Sequence, residues 1–224
     1  MNRALTTLFS PLLALALLAA PFCLPAAAQE AASLPAPEAP NPAFGKPLVI
    51  VFSGTGNTLR LAELIVSRTG ADLYRIEPAE PFPASEADII LLEEGRRGEG
   101  RPAEIKGTPP DLAPYSLIFL GSPVWFGVIP DHVSVFLASL DFTGKKVALF
   151  ASAGTRPGDI IENLTSSVKG GTVLGPALIR KRADDWSEQG LAAAVNAYLA
   201  DLTDSLAETE APLAEVSTSP ASAK

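Results

Sequence analysis

Five consecutive apolar residues, Leu48-Val49-Ile50-Val51-Phe52, run straight into Ser53-Gly54-Thr55-Gly56-Asn57-Thr58, after which apolar residues return at helical spacing. This order predicts a strand, a tight polar turn and a helix, because an unbroken apolar run of that length suits a strand buried on both faces. The same succession recurs along the chain. Strands are predicted at Leu48–Phe52, Leu73–Glu77, Leu117–Gly121, Val147–Ala151 and Thr172–Ile179, and helices at Thr58–Arg68, Asp131–Leu140, Gly158–Val168 and Trp186–Leu206. Strands alternating with helices imply one parallel sheet covered on both faces, an α/β doubly wound architecture with five strands. The long piece Pro78–Pro114 holds one further helix, Glu86–Glu94, and a charged stretch, Glu93–Glu104, read as an extended surface loop. In the last helix Leu191, Val195, Leu199, Leu202 and Leu206 share one stripe and are assigned to the core.

The ends read differently. Residues 1–28 carry Arg3, the apolar run Leu12–Ala20 and Ala26-Ala27-Ala28 before Gln29, the pattern of a secretory signal with a small-residue cleavage site. The run is shorter than the roughly 20 residues of a spanning helix, and Pro11 and Pro21 bracket it. Cleavage without stable membrane insertion is therefore expected. No Arg pair precedes the run, which points to the general export route, and Phe22 before Cys23 argues against lipid attachment. The expected location is outside the cytoplasm, in a bacterial periplasm. Residues 29–46, rich in Ala, Pro and Glu, read as a disordered linker, residues 47–206 as the folded domain, and residues 207–224 as a disordered tail. The formal net charge of −8 becomes −9 when Arg3 leaves with the signal, an acidity that disfavours nucleic acid and anionic membrane as partners. The single cysteine, Cys23, lies inside the signal, and His132 is the single histidine, so disulfides, thiolate chemistry and a histidine-rich metal centre are excluded from the mature chain.

In an open doubly wound sheet the ligand sits beyond the carboxyl ends of the strands, where the strand order reverses. Three loops matter most. The first, Ser53 to Thr58, opens a helix, and backbone N–H groups together with hydroxyl side chains there suit a phosphate. It has no Lys of the Walker A kind, and the third glycine of the dinucleotide fingerprint is Leu59. Glu77 stands near the spacing of a ribose-binding acid, which keeps a nicotinamide cofactor open, but three hydroxyls favour a terminal monophosphate, with more charge and more acceptor oxygens. Arg60 and Arg156 are subsidiary candidates for the phosphate. The second loop, Ser122-Pro123-Val124-Trp125-Phe126-Gly127, offers two aromatic residues as a stacking surface for a planar ring. The third, Ser152-Ala153-Gly154, supplies small residues whose backbone can approach the other side of that ring. His132, at the start of the following helix, reads as a surface residue.

These residues carry a resemblance. Val49 to Thr58 with Ala62 resembles the flavodoxin signature, and Leu120 to Gly127 with Pro130 resembles the flavin-ring loop of flavodoxin-like proteins. The resemblance implies strand order 2-1-3-4-5, noncovalent FMN, and electron transfer. It places Ser53, Gly54, Thr55, Gly56, Asn57 and Thr58 at the phosphate, Ser122, Pro123, Val124, Trp125, Phe126 and Gly127 beside the isoalloxazine with Trp125 stacking, and Ala151, Ser152, Ala153 and Gly154 on its far side. Backbone groups near Gly127 are expected to hydrogen-bond the ring at N5. The expected role is an electron carrier that serves a redox partner protein or a small electron acceptor. Two alternatives share the pocket: an FMN-dependent NAD(P)H:quinone-type reductase, and an exported adaptor that binds no flavin.

Overall fold

The computed structural model of the protein describes residues 41–210. The expected signal at 1–28, most of the expected linker and residues 211–224 lie outside them. Five strands, β1 (Pro47–Phe52), β2 (Asp72–Ile76), β3 (Leu117–Pro123), β4 (Lys146–Ala153) and β5 (Thr172–Lys181), alternate with helices α1 (Asn57–Thr69), α2 (Glu86–Gly98), α3 (Asp131–Ala138), α4 (Ile160–Ser167) and α5 (Glu188–Glu210). The strands form one parallel sheet in the order β2-β1-β3-β4-β5. The fold class and strand order are those expected.

Alternation of side chains along each strand divides the core between the two faces. Val49 and Val51 of β1 and Phe119 of β3 pack under α1 and α5, where Leu61, Ile65, Leu191, Val195 and Leu202 meet them. Leu48, Ile50 and Phe52, with Ile118 and Leu120, face the other way, against Val133 and Phe136 of α3 and Ile160 and Leu164 of α4. The leucine stripe of the last helix is buried as expected. Both neighbours of β1 lie on opposite sides of it, with β2 reached by one connection and β3 by the next. The chain direction through the sheet therefore reverses at β1, and the loops after β1 and β3 open beside each other.

The structure departs from the sequence reading at several element ends and at both edges of the folded part. β3 and β4 continue two residues further, pairing Ser122 with Ala151 and Pro123 with Ser152, because a backbone ladder does not require apolar side chains. Residues Pro42–Phe44, assigned to the disordered linker, form a 3-10 turn capped by Asn41, and Phe44 is buried edge-on against Phe119 at 6.0 Å. One large aromatic with a hydrophobic seat outweighs the composition around it. At the other end α5 continues to Glu210, past the tail boundary at residue 207. Finally, α2 runs to Gly98 and takes in part of the stretch read as a surface loop, with Glu93 only 2% and Arg96 only 7% exposed.

Those two charges are buried because they are paired. Arg96 binds both carboxylate oxygens of Glu93, with Nη2 at 2.8 Å from Oε2, reaches the Asp131 carboxylate, and donates from Nη1 to the Arg101 carbonyl at 2.8 Å. Arg97 holds Asp131 from the other side at 2.8 and 2.9 Å. The cluster ties α2 to the first turn of α3. His132, read as a surface residue, belongs to it instead, 4% exposed and stacked on Phe52 with ring centroids 5.7 Å apart. A helical position reads as surface or core only once the neighbouring helix is known, and here α2 covers it.

A pH dependence follows. Burial holds the His132 imidazole below its ordinary value of 6.5; Glu93 and Asp131 pull it up, while Arg96 and Arg97 push it further down. The unfolded chain then takes up a proton at higher pH than the folded one, so stability is expected to fall as the pH drops below about 6.5 and to level off once the folded imidazole also titrates. The lowered carboxyls of Asp131 and Asp72 act in a separate window, below their ordinary 3.8. Urea midpoints measured across this range check the prediction: His132→Phe removes the upper part of the slope and leaves the acid part. A slope unchanged by that substitution would refute it.

Candidate functional site

The loops after β1, β3 and β4 surround a cleft of about 210 Å³ at the carboxyl edge of the sheet. Its first wall is the turn into α1. Gly56 caps that helix at φ +92°, a left-handed conformation favoured by glycine, with open space where a Cβ would stand and no side-chain cap on the helix. The first-turn N–H groups of α1 are thus left without a side-chain acceptor, as an anion site requires. Ser53 shapes this turn by accepting the Gly56 N–H at 3.1 Å. Thr55 and Asn57 are exposed on the cleft wall, with the Asn57 amide 3.4 Å from the Thr55 hydroxyl. Thr58 is fully buried, and its hydroxyl meets that of Ser152 at 2.7 Å, which joins the first loop to the third.

The second wall is Pro123, Val124 and Trp125. The Trp125 ring leans over Gly54, where a Cβ would come within 2.9 Å of it, and packs edge-on against Phe52 with centroids 5.5 Å apart. It also lines an apolar hollow of about 140 Å³ with Ile89, Ile90 and Phe126. Beyond it the chain turns sharply: Trp125 and Val128 exchange two backbone hydrogen bonds of 3.0 Å, with Phe126 at φ +54° and Gly127 at +83°. Two successive left-handed residues make this a tight hairpin turn of the primed kind. The left-handed Phe126 side chain is exposed, with the Arg97 guanidinium 5.0 Å from its ring centre. The third wall is Ser152, Ala153 and Gly154.

Not every residue singled out in the sequence faces this space. Thr55, Asn57, Pro123, Val124, Trp125, Ser152, Ala153 and Gly154 line it. The Ser122 hydroxyl is buried and donates to the Pro123 carbonyl at 2.9 Å. Ala151 is core. The Gly127 carbonyl accepts the Asp159 N–H at 2.9 Å, so it is already partnered among the backbone groups expected at N5. Arg156, exposed after Gly154, is not among the residues that line the cleft.

Four further residues line it: Arg60, a subsidiary candidate from the sequence, and Glu86, Arg182 and Trp186, which no sequence motif marks. Arg60 donates to the Trp186 carbonyl at 2.9 Å, and Arg182 pairs with Glu86 at 2.9 Å. The positions of Trp186 and Arg182 directly after β5 are the signal that was available, since every loop at the carboxyl edge is a candidate. With Arg182 neutralised by Glu86, the Arg60 guanidinium and the uncapped helix start give the cleft a positive side in an acidic protein. An anionic group fits there, and a flat ring fits against Trp125.

Comparison with known proteins agrees with this geometry. Residues 46–190 match the sequence model of the Flavodoxin family. Among solved structures, a provisionally assigned flavoprotein from Bacteroides eggerthii matches with 25% identity and a TM-score of 0.56, covering 70% of this chain and 97% of that one. A second, from Bacteroides uniformis, matches with 26% identity and a TM-score of 0.54, covering 68% of this chain and 98% of that one. No curated protein matches the chain significantly. With the family match spanning well over half of the sequence, and the sheet order and carboxyl-edge cleft in place, the chain belongs to the flavodoxin family.

Proposed function

We propose that the cleft binds FMN and that the protein carries electrons outside the cytoplasm, to or from a redox partner protein or a small acceptor. The observation that carries this reading is the uncapped start of α1, whose N–H groups share one cleft with Thr55, Asn57 and the Trp125 ring. The phosphate belongs at the helix start, within reach of Thr55 and Asn57, with Arg60 on the same wall. The ring belongs against Trp125, with the small residues Ala153 and Gly154 on the opposite side. FMN, when bound, supplies the one- and two-electron chemistry.

The chain's own residues bind and orient. Thr58 and Ser152 lock the first loop to the third through their buried hydroxyl contact, which holds the two sides of the cleft at fixed spacing. Glu86 and Arg182 neutralise each other at the mouth, so neither is free as an acid or base. The third loop has no aromatic residue and leaves that side of the ring open to a second molecule. Docking to a carrier's partners draws on the net charge of the body, which steers encounter more than it adds affinity. The export signal, outside the described residues, supports the periplasmic location, and amino-terminal sequencing of the secreted protein tests it, with Gln29 as the expected first residue.

Titration with FMN, FAD and riboflavin, followed by flavin fluorescence, tests the cofactor. FMN is expected to bind clearly more tightly than riboflavin. Replacing Thr55 and Asn57 together by Ala is expected to weaken FMN by roughly tenfold or more, since each hydrogen bond to a charged group contributes about 1.5–3 kcal/mol, and to leave riboflavin nearly unchanged. Equal weakening of both ligands would place the phosphate elsewhere. Thr58 is the poorer choice for this test, because its hydroxyl also holds Ser152 and its loss disturbs the fold.

A further inference from the structure

A second cavity, of about 470 Å³, opens along α2 at Leu92, Glu93 and Arg96, with more than twice the volume of the cleft beside Trp125. Phe82 and Leu92 give it apolar walls, and the exposed carboxylates of Glu80 and Glu104 stand along it. Its buried end is formed by Glu93, Arg96 and His132. The hydrogen bonds at that end are incomplete. Arg96 uses its guanidinium on Glu93, Asp131 and the Arg101 carbonyl. His132 Nδ1, by contrast, is buried with no hydrogen-bond partner, 3.8 Å from Glu93 Oε2, which is too long for a direct bond. An orphaned buried polar atom at the end of a cavity is costly unless something fills the gap.

We propose that this cavity is a second ligand site, separate from the flavin cleft, and that it takes an uncharged planar ring bearing a hydroxyl group, a phenol or hydroquinone, with that hydroxyl seated between Glu93 and His132. The carboxylate beside Nδ1 favours the tautomer with its proton there. A hydroxyl oxygen beside this pair, about 2.8 Å from each atom and off the line that joins them, then accepts from Nδ1–H and donates to Glu93, satisfying both with one group. An ammonium group cannot accept the Nδ1 proton, and Arg96 already neutralises Glu93. An anion meets three carboxylates, Glu80, Glu93 and Glu104, while the two lining guanidinium groups are already engaged, Arg96 with Glu93 and Asp131 and Arg101 with Glu99. A flat ring suits the aromatic lining, in which Phe82 stands edge-on to His132 at 5.3 Å. The site rests on these residues and not on the flavin reading.

The probe is 2-naphthol, added to the full protein with and without saturating FMN, beside 2-methoxynaphthalene, which has no hydroxyl hydrogen, and the anion 2-naphthoate. Binding is read by naphthol fluorescence and by the imidazole NMR signals of His132, unambiguous because the chain has one histidine. We expect 2-naphthol to bind at least tenfold more tightly than either analogue, to shift the His132 signals saturably, and to do so equally with FMN present. His132→Phe is expected to abolish the preference for the hydroxyl. Ala79→Trp, at an exposed position on the cavity wall, is expected to weaken 2-naphthol at least tenfold while FMN affinity holds, and it provides the same test should the histidine variant fail to fold. Equal affinity for 2-naphthol and 2-methoxynaphthalene, unmoved His132 signals, displacement of 2-naphthol by FMN, or unchanged affinity in Ala79→Trp would each overturn the proposal. A protein that binds 2-naphthol in this way but no flavin would sink the cofactor reading and leave this site standing.

Discussion

Replacing Arg96 by Met is expected to destabilise the protein by about 3–5 kcal/mol, the usual cost of stripping the partner from a buried charge. Glu93 is 2% exposed and receives three of its contacts from this one guanidinium, with Nε–O distances of 3.3 and 3.2 Å and Nη2–Oε2 of 2.8 Å. A methionine of similar length keeps the packing and removes every donor. Asp131 keeps Arg97, so the loss falls mainly on Glu93. The double variant Glu93→Leu with Arg96→Met is expected to recover most of the stability, because replacing both members of a buried pair by apolar groups is often nearly neutral. Urea unfolding of the unsubstituted protein and these two variants at neutral pH measures both effects. A single-variant cost below about 1 kcal/mol would show that Glu93 finds water or a proton when Arg96 is gone.

Gly121→Ala is the second large effect. Gly121 of β3 pairs with Phe150 of β4, and a Cβ on it would stand 2.0 Å from the Phe150 ring, which is itself wholly buried. Such overpacking costs about 1–3 kcal/mol, and more where the ring has nowhere to go. Its consequence reaches the cleft. Gly121 stands two residues before the Pro123 to Trp125 wall and Phe150 two residues before the Ser152 to Gly154 wall, so pushing the two strands apart moves both walls. FMN affinity is expected to fall together with the urea midpoint, and Phe150→Leu, added to Gly121→Ala, is expected to restore part of each. Full stability of the single variant would mean that the ring shifts without cost.

Strand and helix types were legible because the apolar runs are continuous and the intervening turns are rich in Gly, Ser and Thr, signals that do not depend on distant residues. The turn into α1 was legible for the same reason, being contained in six consecutive positions. Other features depended on which side chain meets which. That Phe44 is core, that Glu93 and Arg96 are buried in a charged helix, and that His132 stacks on Phe52 are facts about pairs far apart in the chain. Thr58 and Ser152 show the limit most directly. Each looks like a free hydroxyl on its own loop, yet they are 94 positions apart and bonded to each other.

The amino-acid sequence determined the alternation of strand and helix, the position of the cleft at the carboxyl edge and the identity of the turn into α1, because local backbone preference and side-chain period are written into neighbouring residues. Tertiary structure alone decided which of the polar side chains near that edge are free for a ligand and which are held by each other, and it alone brought Glu93, Arg96 and His132 to the end of one cavity. Burial and pairing are properties of the packed chain, since a charge or hydroxyl is satisfied by whatever the fold sets within about 3 Å of it.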